Sequence, residues 1–225
     1  MEAAVAFDPV LLVLLGGLLA LDGTSVGQFM VSRPLVAGTL AGWAVGEPGL
    51  GLAVGGVLEF YFIPVFPVGG ADFPEGGPPT VVGVAGAALL PGVEGLALGV
   101  MLGLVWSRLS ALSIHFLRKA NDHLVPDPSR GLVSIRRVVW GHLTGVGLDF
   151  VRGGSLTYLG LLVAEWTAGA PRDAWPLSGT NTLGILLLGA AVPAGAFIQS
   201  LGGWRKRGLL FVSGLVLFLI GSYLL

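Results

Sequence analysis

The sequence contains no cysteine, so it has no disulfide, no thiolate metal ligand and no cysteine that could carry a phosphoryl group. Charged residues are also scarce: they make up 11% of the chain, against roughly 25% in ordinary soluble domains. The charge is balanced, with 12 Lys and Arg against 13 Asp and Glu, which excludes the basic face of a nucleic-acid-binding protein. Because 54% of the 225 residues are hydrophobic, the composition indicates a polytopic membrane protein.

Apolar stretches recur from one end of the chain to the other. A helix needs about 20 apolar residues to cross a hydrocarbon core, and residues 80–105 and 181–201 meet this length easily. Residues 208–225 meet it at the lower limit, and residues 138–166 read as embedded although Asp149 and Arg152 interrupt them. Because no Lys or Arg cluster precedes the first apolar run, we expect residues 9–21 to belong to the mature protein rather than to a cleaved signal.

The N-terminal third differs from the rest. Its apolar runs, at 9–21, 34–46 and 49–63, are short, and turn residues separate them at 22–25 and 46–49. Residues 64–79 then carry five prolines and four glycines, so they cannot form a continuous helix. Such backbone must be packed in protein or line a wet cavity, and broken segments of this kind build transporter sites. The sequence predicts one all-α membrane domain over 1–225, with broken or re-entrant segments near its beginning.

The distribution of basic residues predicts the orientation. The stretch 106–137 holds six of the 12 basic residues and only two acids, and the loop 202–208 adds three more. Both should be cytoplasmic by the positive-inside rule, whereas the loop 167–180 and the N-terminus fit the outer side. Within the cytoplasmic stretch, apolar and basic residues alternate over 108–119, which predicts an amphipathic helix at the membrane surface.

Glycines recur four residues apart in three places. They are Gly38, Gly42 and Gly46, then Gly51 and Gly55, then Gly95, Gly99 and Gly103. Small residues at this spacing allow membrane helices to approach closely. Tight packing inside one bundle is favoured over a dedicated dimer motif.

Charged residues inside membrane segments are costly, at about 2.5–3.5 kcal/mol each on insertion scales, and therefore mark candidate sites. The acids are Glu59, Asp72, Glu75 and Asp149, with Glu94 set aside as part of a local turn. Carboxylates accept hydrogen bonds from hydroxyls, so paired acids in a wet cavity suit a neutral sugar or polyol. Arg152 lies three residues after Asp149 and can pair with it, either as a structural salt bridge or as part of a substrate site. We expect Arg152 to be the only basic residue at membrane depth that is available to neutralise these acids. There is no HExxH, nucleotide-binding or serine-nucleophile motif.

Four blocks of the sequence resemble one family. The run from Gln28 to Leu40, which reads QFMVSRPLVAGTL, resembles the first block of the membrane component IIC of the mannose, fructose and sorbose branch of the phosphotransferase system. The run GGVLE, ending at Glu59, is similar to that family's second block, and VGGADFPE, ending at Glu75, to its third. A Trp-x-His motif at 140–142, followed by Arg152, also matches family members.

This resemblance implies a sugar permease subunit. IIC components work with a second membrane subunit, IID, and carry a hexose inward while the cytoplasmic IIB, supplied by IIA, phosphorylates it. The phosphoryl donor residue would thus lie on another chain, and no cofactor is implied. Family members form oligomers in the bacterial inner membrane and move a core domain against a scaffold. We expect 22–79 and 138–166 to form that sugar-contacting core, with these residues at the site: Gln28, Glu59, Asp72, Glu75, Asp149 and Arg152.

Two other functions stay open. The first is a facilitator or uptake-system subunit that uses the same cavity without phosphorylation. The second is a scaffolding membrane protein without a substrate, which predicts that the buried acids pair with basic residues and that no polar cavity exists.

Overall fold

The computed structural model describes residues 7–65, 73–127, 129, 133–169, 179–200, 202 and 216. Over these residues the chain forms seven helices and no strand. The helices are α1 (Pro9–Thr24), α2 (Pro34–Val45), α3 (Pro48–Phe62), α4 (Gly77–Ala88), α5 (Gly92–Asp122), α6 (Ile135–Ala168) and α7 (Gly179–Ser200). Helices α5, α6 and α7 are long and apolar enough to span a membrane. The predicted all-α membrane fold is therefore confirmed.

The first three helices are short and correspond to the three short apolar runs. Each begins with a proline in its first turn, where the missing N–H would have no helical partner in any case. Gly46, with φ of 82°, ends α2 in the left-handed conformation that favours glycine. At 1.5 Å per residue these helices are roughly 18–24 Å long, less than the hydrocarbon core of about 30 Å. The prediction of short, broken segments is confirmed.

Glycines let α2 and α3 pack backbone to backbone. A Cβ atom on Gly38 would lie 2.5 Å from the carbonyl oxygen of Gly51 and 2.8 Å from Cα of Gly55. A Cβ on Gly42 would lie 2.9 Å from Cα of Gly51. The four-residue glycine spacing at these positions therefore serves packing within the bundle, as predicted.

Helix α4 is the central element of the bundle. Every residue from Gly77 to Ala87 is buried, and the helix packs against α1, α2, α3, α5 and α6. The expectation of one continuous span over 80–105 is wrong, because a turn at residues 89–91 separates α4 from α5. Pro91 lies in this turn with extended backbone, and a proline ring there would clash with a helix continuing from the preceding turn.

Helix α5 runs without a break from Gly92 to Asp122. The separate surface helix expected over 108–119 is instead the second half of α5, because no glycine or proline occurs between Gly103 and Asp122 to end the helix. A helix of 31 residues is about 46 Å long and extends beyond a hydrocarbon core. Nearly all of the predicted segment 208–225 and of the loop 202–208 lies outside the described residues.

Candidate functional site

Four elements meet around one arginine. Arg152 lies on α6, and only 9% of its side chain is exposed. It donates two parallel hydrogen bonds to Glu75, from Nη1 to Oε2 at 2.8 Å and from Nη2 to Oε1 at 2.9 Å. Glu75 lies in the non-helical segment before α4, and its backbone N–H donates to the carbonyl of Ser107 on α5 at 3.3 Å. The bidentate geometry is the stronger form of an arginine–carboxylate pair.

Asp149 completes the ion cluster from the same helix. Its Oδ1 accepts a hydrogen bond from Nε of Arg152 at 2.9 Å, so the predicted pairing of these two residues is confirmed. Its Oδ2 accepts from the hydroxyls of Thr24 and Ser25, at the end of α1. Asp149 is completely buried. The carboxylate therefore ties α6 to the last turn of α1.

Hydroxyl groups on α5 complete the cluster. Ser110 donates to Oε2 of Glu75, and Oγ of Ser113 accepts from Nη1 of Arg152 at 2.8 Å. Two carboxylates face one guanidinium, so the ionised cluster carries one excess negative charge. Hydrogen bonds from hydroxyl groups stabilise the charged form of a carboxylate, so these donors lower the energetic cost of the excess charge. We call these residues the Arg152 cluster: Thr24, Ser25, Glu75, Ser110, Ser113, Asp149 and Arg152.

A second ion pair lies in the α2–α3 hairpin. Nε of Arg33, at the start of α2, donates to Oε1 of Glu59 on α3 at 2.8 Å, and the two form a salt bridge. Oε2 of Glu59 accepts from the backbone N–H of Leu35 at 3.2 Å. The expectation that Arg152 is the only basic partner for the acids is wrong, because Arg33 neutralises Glu59.

Gln28 lies apart from both ion pairs, in the exposed loop between α1 and α2. Gln28 and Met30 have positive φ angles of 53° and 67°, which are uncommon for residues other than glycine. The buried carboxylate of Asp22 holds this loop by accepting from the backbone N–H groups of Phe29 and Ser32, both at 2.7 Å. Asp72, the remaining predicted site residue, lies outside the described residues.

Two cavities lie beside these polar residues. One of about 400 Å³ lies between the ends of α1, α5 and the first half of α6, and we call it the junction cavity. Its polar lining consists of Thr24, Ser25, Asn121 and His142. A second cavity, of about 50 Å³ beside Arg33 and Glu75, is too small for a hexose, since ligand pockets usually measure 300–1,000 Å³.

The structure thus brings together three of the residues predicted from sequence, namely Glu75, Asp149 and Arg152, and places Glu59 in a separate pair. Sequence reasoning missed Arg33 and the hydroxyl partners. The signal for Arg33 was its position directly before an apolar run. The signal on α5 was the three-residue spacing of Ser107, Ser110 and Ser113, which places hydroxyls along one face of a helix.

Comparison with known proteins identifies the family. The family model for the sorbose-specific IIC component of the phosphotransferase system matches residues 6–129. The chain belongs to this family. The matched region includes α1 to α5, and with them Glu75 and both residues of the Arg33–Glu59 pair. Membership in a family of IIC components implies a role in sugar transport.

Two solved structures share the fold of this IIC component. One, described as a membrane protein, has a TM-score of 0.67 at 17% identity. The other is a complex of the mannose transporter ManYZ with a microcin, with a TM-score of 0.51 at 19% identity. In both cases the alignment covers 96% of this chain and 92% of the other. Among curated proteins, none matches this sequence.

Proposed function

We propose that this IIC component is the sugar-binding permease subunit of a phosphotransferase system in the bacterial cell membrane. It binds a hexose and moves it across the membrane while a partner IIB subunit phosphorylates it. The observation that carries the proposal is the Arg152 cluster, a buried polar centre that joins α1, α5, α6 and the segment before α4 in a chain of this family. Buried ionisable groups in membrane bundles typically mark substrate pathways.

The partners follow from the same proposal. The structural neighbour ManYZ, a mannose transporter, supports a second membrane subunit of the IID type beside this chain. IIA and IIB would supply the phosphoryl group from the cytoplasm, so this chain needs no phosphorylated residue of its own. We also propose that the complex contains several copies of the chain, as in family members.

Six residues are proposed to contact or orient the sugar, and the five of them that the structure describes have three kinds of surroundings. Glu75, Asp149 and Arg152 belong to the Arg152 cluster, where they bind one another. Glu59 remains 23% exposed beside Arg33. Gln28 is exposed in its own loop, and Asp72 precedes Glu75 in the sequence. A sugar that contacts several of these groups must bind where the core elements converge.

The scaffolding alternative makes two predictions, of which one agrees with the ion pairs in the structure and the other disagrees with its cavities. It predicts that the buried acids pair with basic residues, and Glu59, Glu75 and Asp149 all do so. It also predicts that no polar cavity exists, whereas the junction cavity has hydroxyl, amide and imidazole groups in its lining. A facilitator without phosphorylation would use the same groups, and only its partners would differ.

The test measures sugar binding and the coupling of transport to phosphorylation in separate experiments. The chain is purified with its IID-type partner, and its thermal unfolding is followed with D-mannose, D-fructose and L-sorbose. A ligand that binds only the folded form must raise the unfolding temperature. We expect one hexose to stabilise the complex, and the same complex in vesicles to release sugar phosphate when IIA, IIB and phosphoenolpyruvate are supplied. Binding without sugar phosphate would favour the facilitator, and no response to any hexose would contradict the proposal.

A further inference from the structure

Asp22, near the end of α1, is a buried acid that belongs to neither ion pair. Only 9% of the residue is exposed. Its Oδ1 accepts from the backbone N–H of Phe29 and its Oδ2 from that of Ser32, both at 2.7 Å. Within the described part of the chain, these are its partners, and none of them is basic. A buried acid in a membrane bundle is costly and typically has a functional role.

The segment that Asp22 binds is the loop between α1 and α2, residues 25–33, which we call the α1–α2 loop. Gln28 and Met30 have φ angles of 53° and 67° in this loop, in the left-handed region that favours glycine. Residues in such conformations persist only where the surrounding structure holds them, and they occur often at ligand sites. The two hydrogen bonds to Asp22 therefore hold the loop in a conformation that its own residues disfavour.

The ends of the α1–α2 loop reach both groups of charged residues at the proposed sugar site. At one end, the hydroxyl of Ser25 donates to Asp149 in the Arg152 cluster. At the other end, Arg33 donates to Glu59. Gln28, which is also proposed to contact the sugar, lies in between. The conformation of the loop thus sets the relative positions of three sets of sugar-site residues.

Ser32, which Asp22 binds directly, also lies beside the segment that carries Glu75. A Cβ atom on Gly76 would lie 2.9 Å from the carbonyl oxygen of Ser32. A Cβ atom on Gly23 would lie 3.8 Å from Oγ of Ser32 and 3.9 Å from Oε1 of Glu75. Both Arg33 and Glu75 line the cavity of about 50 Å³ at this place. The end of the loop therefore forms part of the boundary between the two ion pairs.

We propose that Asp22 is a positioning residue of the sugar site. It holds the α1–α2 loop so that Gln28 and the Arg33–Glu59 pair keep fixed positions relative to the Arg152 cluster. This inference rests on the proposed function and deepens it, because Asp22 is not among the six residues proposed to contact or orient the sugar. Asp22 acts through the loop and not on the hexose, since each of its oxygens already accepts from a backbone N–H.

The first experiment compares Asp22→Asn with a variant that changes stability elsewhere. Asparagine has nearly the same size, but one of its two acceptor oxygens becomes an NH₂ group, so one loop N–H loses its partner. Gly83→Ala is the control, because its methyl group would lie 2.7 Å from the carbonyl oxygen of Gly99, between α4 and α5. Thermal unfolding without sugar and affinity for D-mannose, D-fructose and L-sorbose are measured on the complex with the IID-type partner. We expect Asp22→Asn to weaken hexose binding about tenfold or more, the equivalent of one well-formed hydrogen bond, and Gly83→Ala to lower the unfolding temperature without that loss of affinity.

The second experiment asks whether Asp22 acts through the loop. Gln28→Ala should weaken hexose binding in the unaltered chain but add little to the loss in Asp22→Asn, because the loop is then already displaced. Met30→Gly should restore part of the affinity of Asp22→Asn, since glycine adopts a positive φ without steric cost. A double-mutant cycle on hexose affinity measures the interaction between Asp22 and Gln28. A role of Asp22 in stability alone would give independent, additive losses.

Asp22→Glu is measured alongside, because it keeps the charge but moves both acceptor oxygens by one methylene group. It is judged by the same comparison if Asp22→Asn does not assemble with the partner. If the unaltered complex binds a hexose but the Asp22 variants lose no more affinity than Gly83→Ala, or their losses add to that of Gln28→Ala, this inference is wrong while the proposed function stands. If the unaltered complex binds no hexose, the proposed function fails, and this inference fails with it.

Discussion

Arg152 and Glu75 form a bidentate ion pair across 77 positions of sequence, with both donor–acceptor distances below 3 Å. The pair joins a spanning helix to a non-helical segment, and it fixes that segment against α5. Arg152 also binds Asp149 on its own helix, and Asp149 accepts hydrogen bonds from Thr24 and Ser25 at the end of α1, so the cluster holds together elements from opposite halves of the chain. Loss of Arg152 should therefore affect both folding and transport.

The first prediction concerns this ion cluster. Arg152→Gln leaves two buried carboxylates without their cation, and we expect it to reduce the free energy of unfolding by about 3–5 kcal/mol, as found when one partner of a buried pair is removed. Adding Glu75→Gln should restore part of that loss, because it removes one of the unpaired charges. Thermal unfolding of the purified complex measures both effects, and Arg108→Gln, at an exposed position of α5, is the control. Equal stability of Arg152→Gln and the control would contradict this role.

The second prediction concerns the glycine contact between α2 and α3. Gly38→Ala brings a methyl group to 2.5 Å from a backbone oxygen of α3, and backbone cannot move aside as a flexible side chain can. We expect a loss of about 1–3 kcal/mol, the usual cost of overpacking. Gly49→Ala is the matched control, because no atom lies within 4 Å of the added methyl group. A helical glycine replaced by alanine without a clash should be neutral or stabilising by up to about 1 kcal/mol.

The third prediction separates binding from structure at Glu59. Glu59→Ala should abolish stabilisation by the hexose while the chain still assembles with its IID-type partner. Its structural cost should be small, because a partly exposed ion pair contributes about 1 kcal/mol or less. A double-mutant cycle with Arg33→Ala measures the interaction energy between Glu59 and Arg33. Glu94→Ala is the control for the loss of an acid elsewhere in the bundle. Unchanged hexose affinity in Glu59→Ala would remove this residue from the site.

The fourth prediction tests the orientation. A cysteine at Ser129 or at Gly169, both exposed, is the only thiol in its variant because the natural sequence has none. A maleimide that cannot cross membranes should label position 169 in intact cells and position 129 only in inside-out vesicles, since basic loops remain cytoplasmic. The reverse pattern would overturn the predicted topology.

Sequence reasoning reached the fold class because membrane segments are defined by local composition. The short runs became α1, α2 and α3, and the proline-rich break before Glu75 is non-helical where the structure describes it. The boundary between α4 and α5 was missed, because the apolar run 80–105 hides a turn that only Pro91 marks. The length of α5 does not follow from hydropathy either, because basic residues interrupt the apolar pattern although no glycine or proline in 104–122 breaks the helix.

Hydropathy, proline positions and ordered motifs are local properties, and they are enough to predict a helical membrane protein of the IIC family. The partners of its charged residues depend instead on how the helices pack. Asp149 and Arg152 are three residues apart and could be paired from sequence, but Glu75 and Thr24 reach them only because α4, α5 and α1 pack against α6. The same is true of the junction cavity, whose walls come from three helices that no local pattern connects. Ion pairs and cavities depend on distances between elements, and the packing of the whole bundle sets those distances.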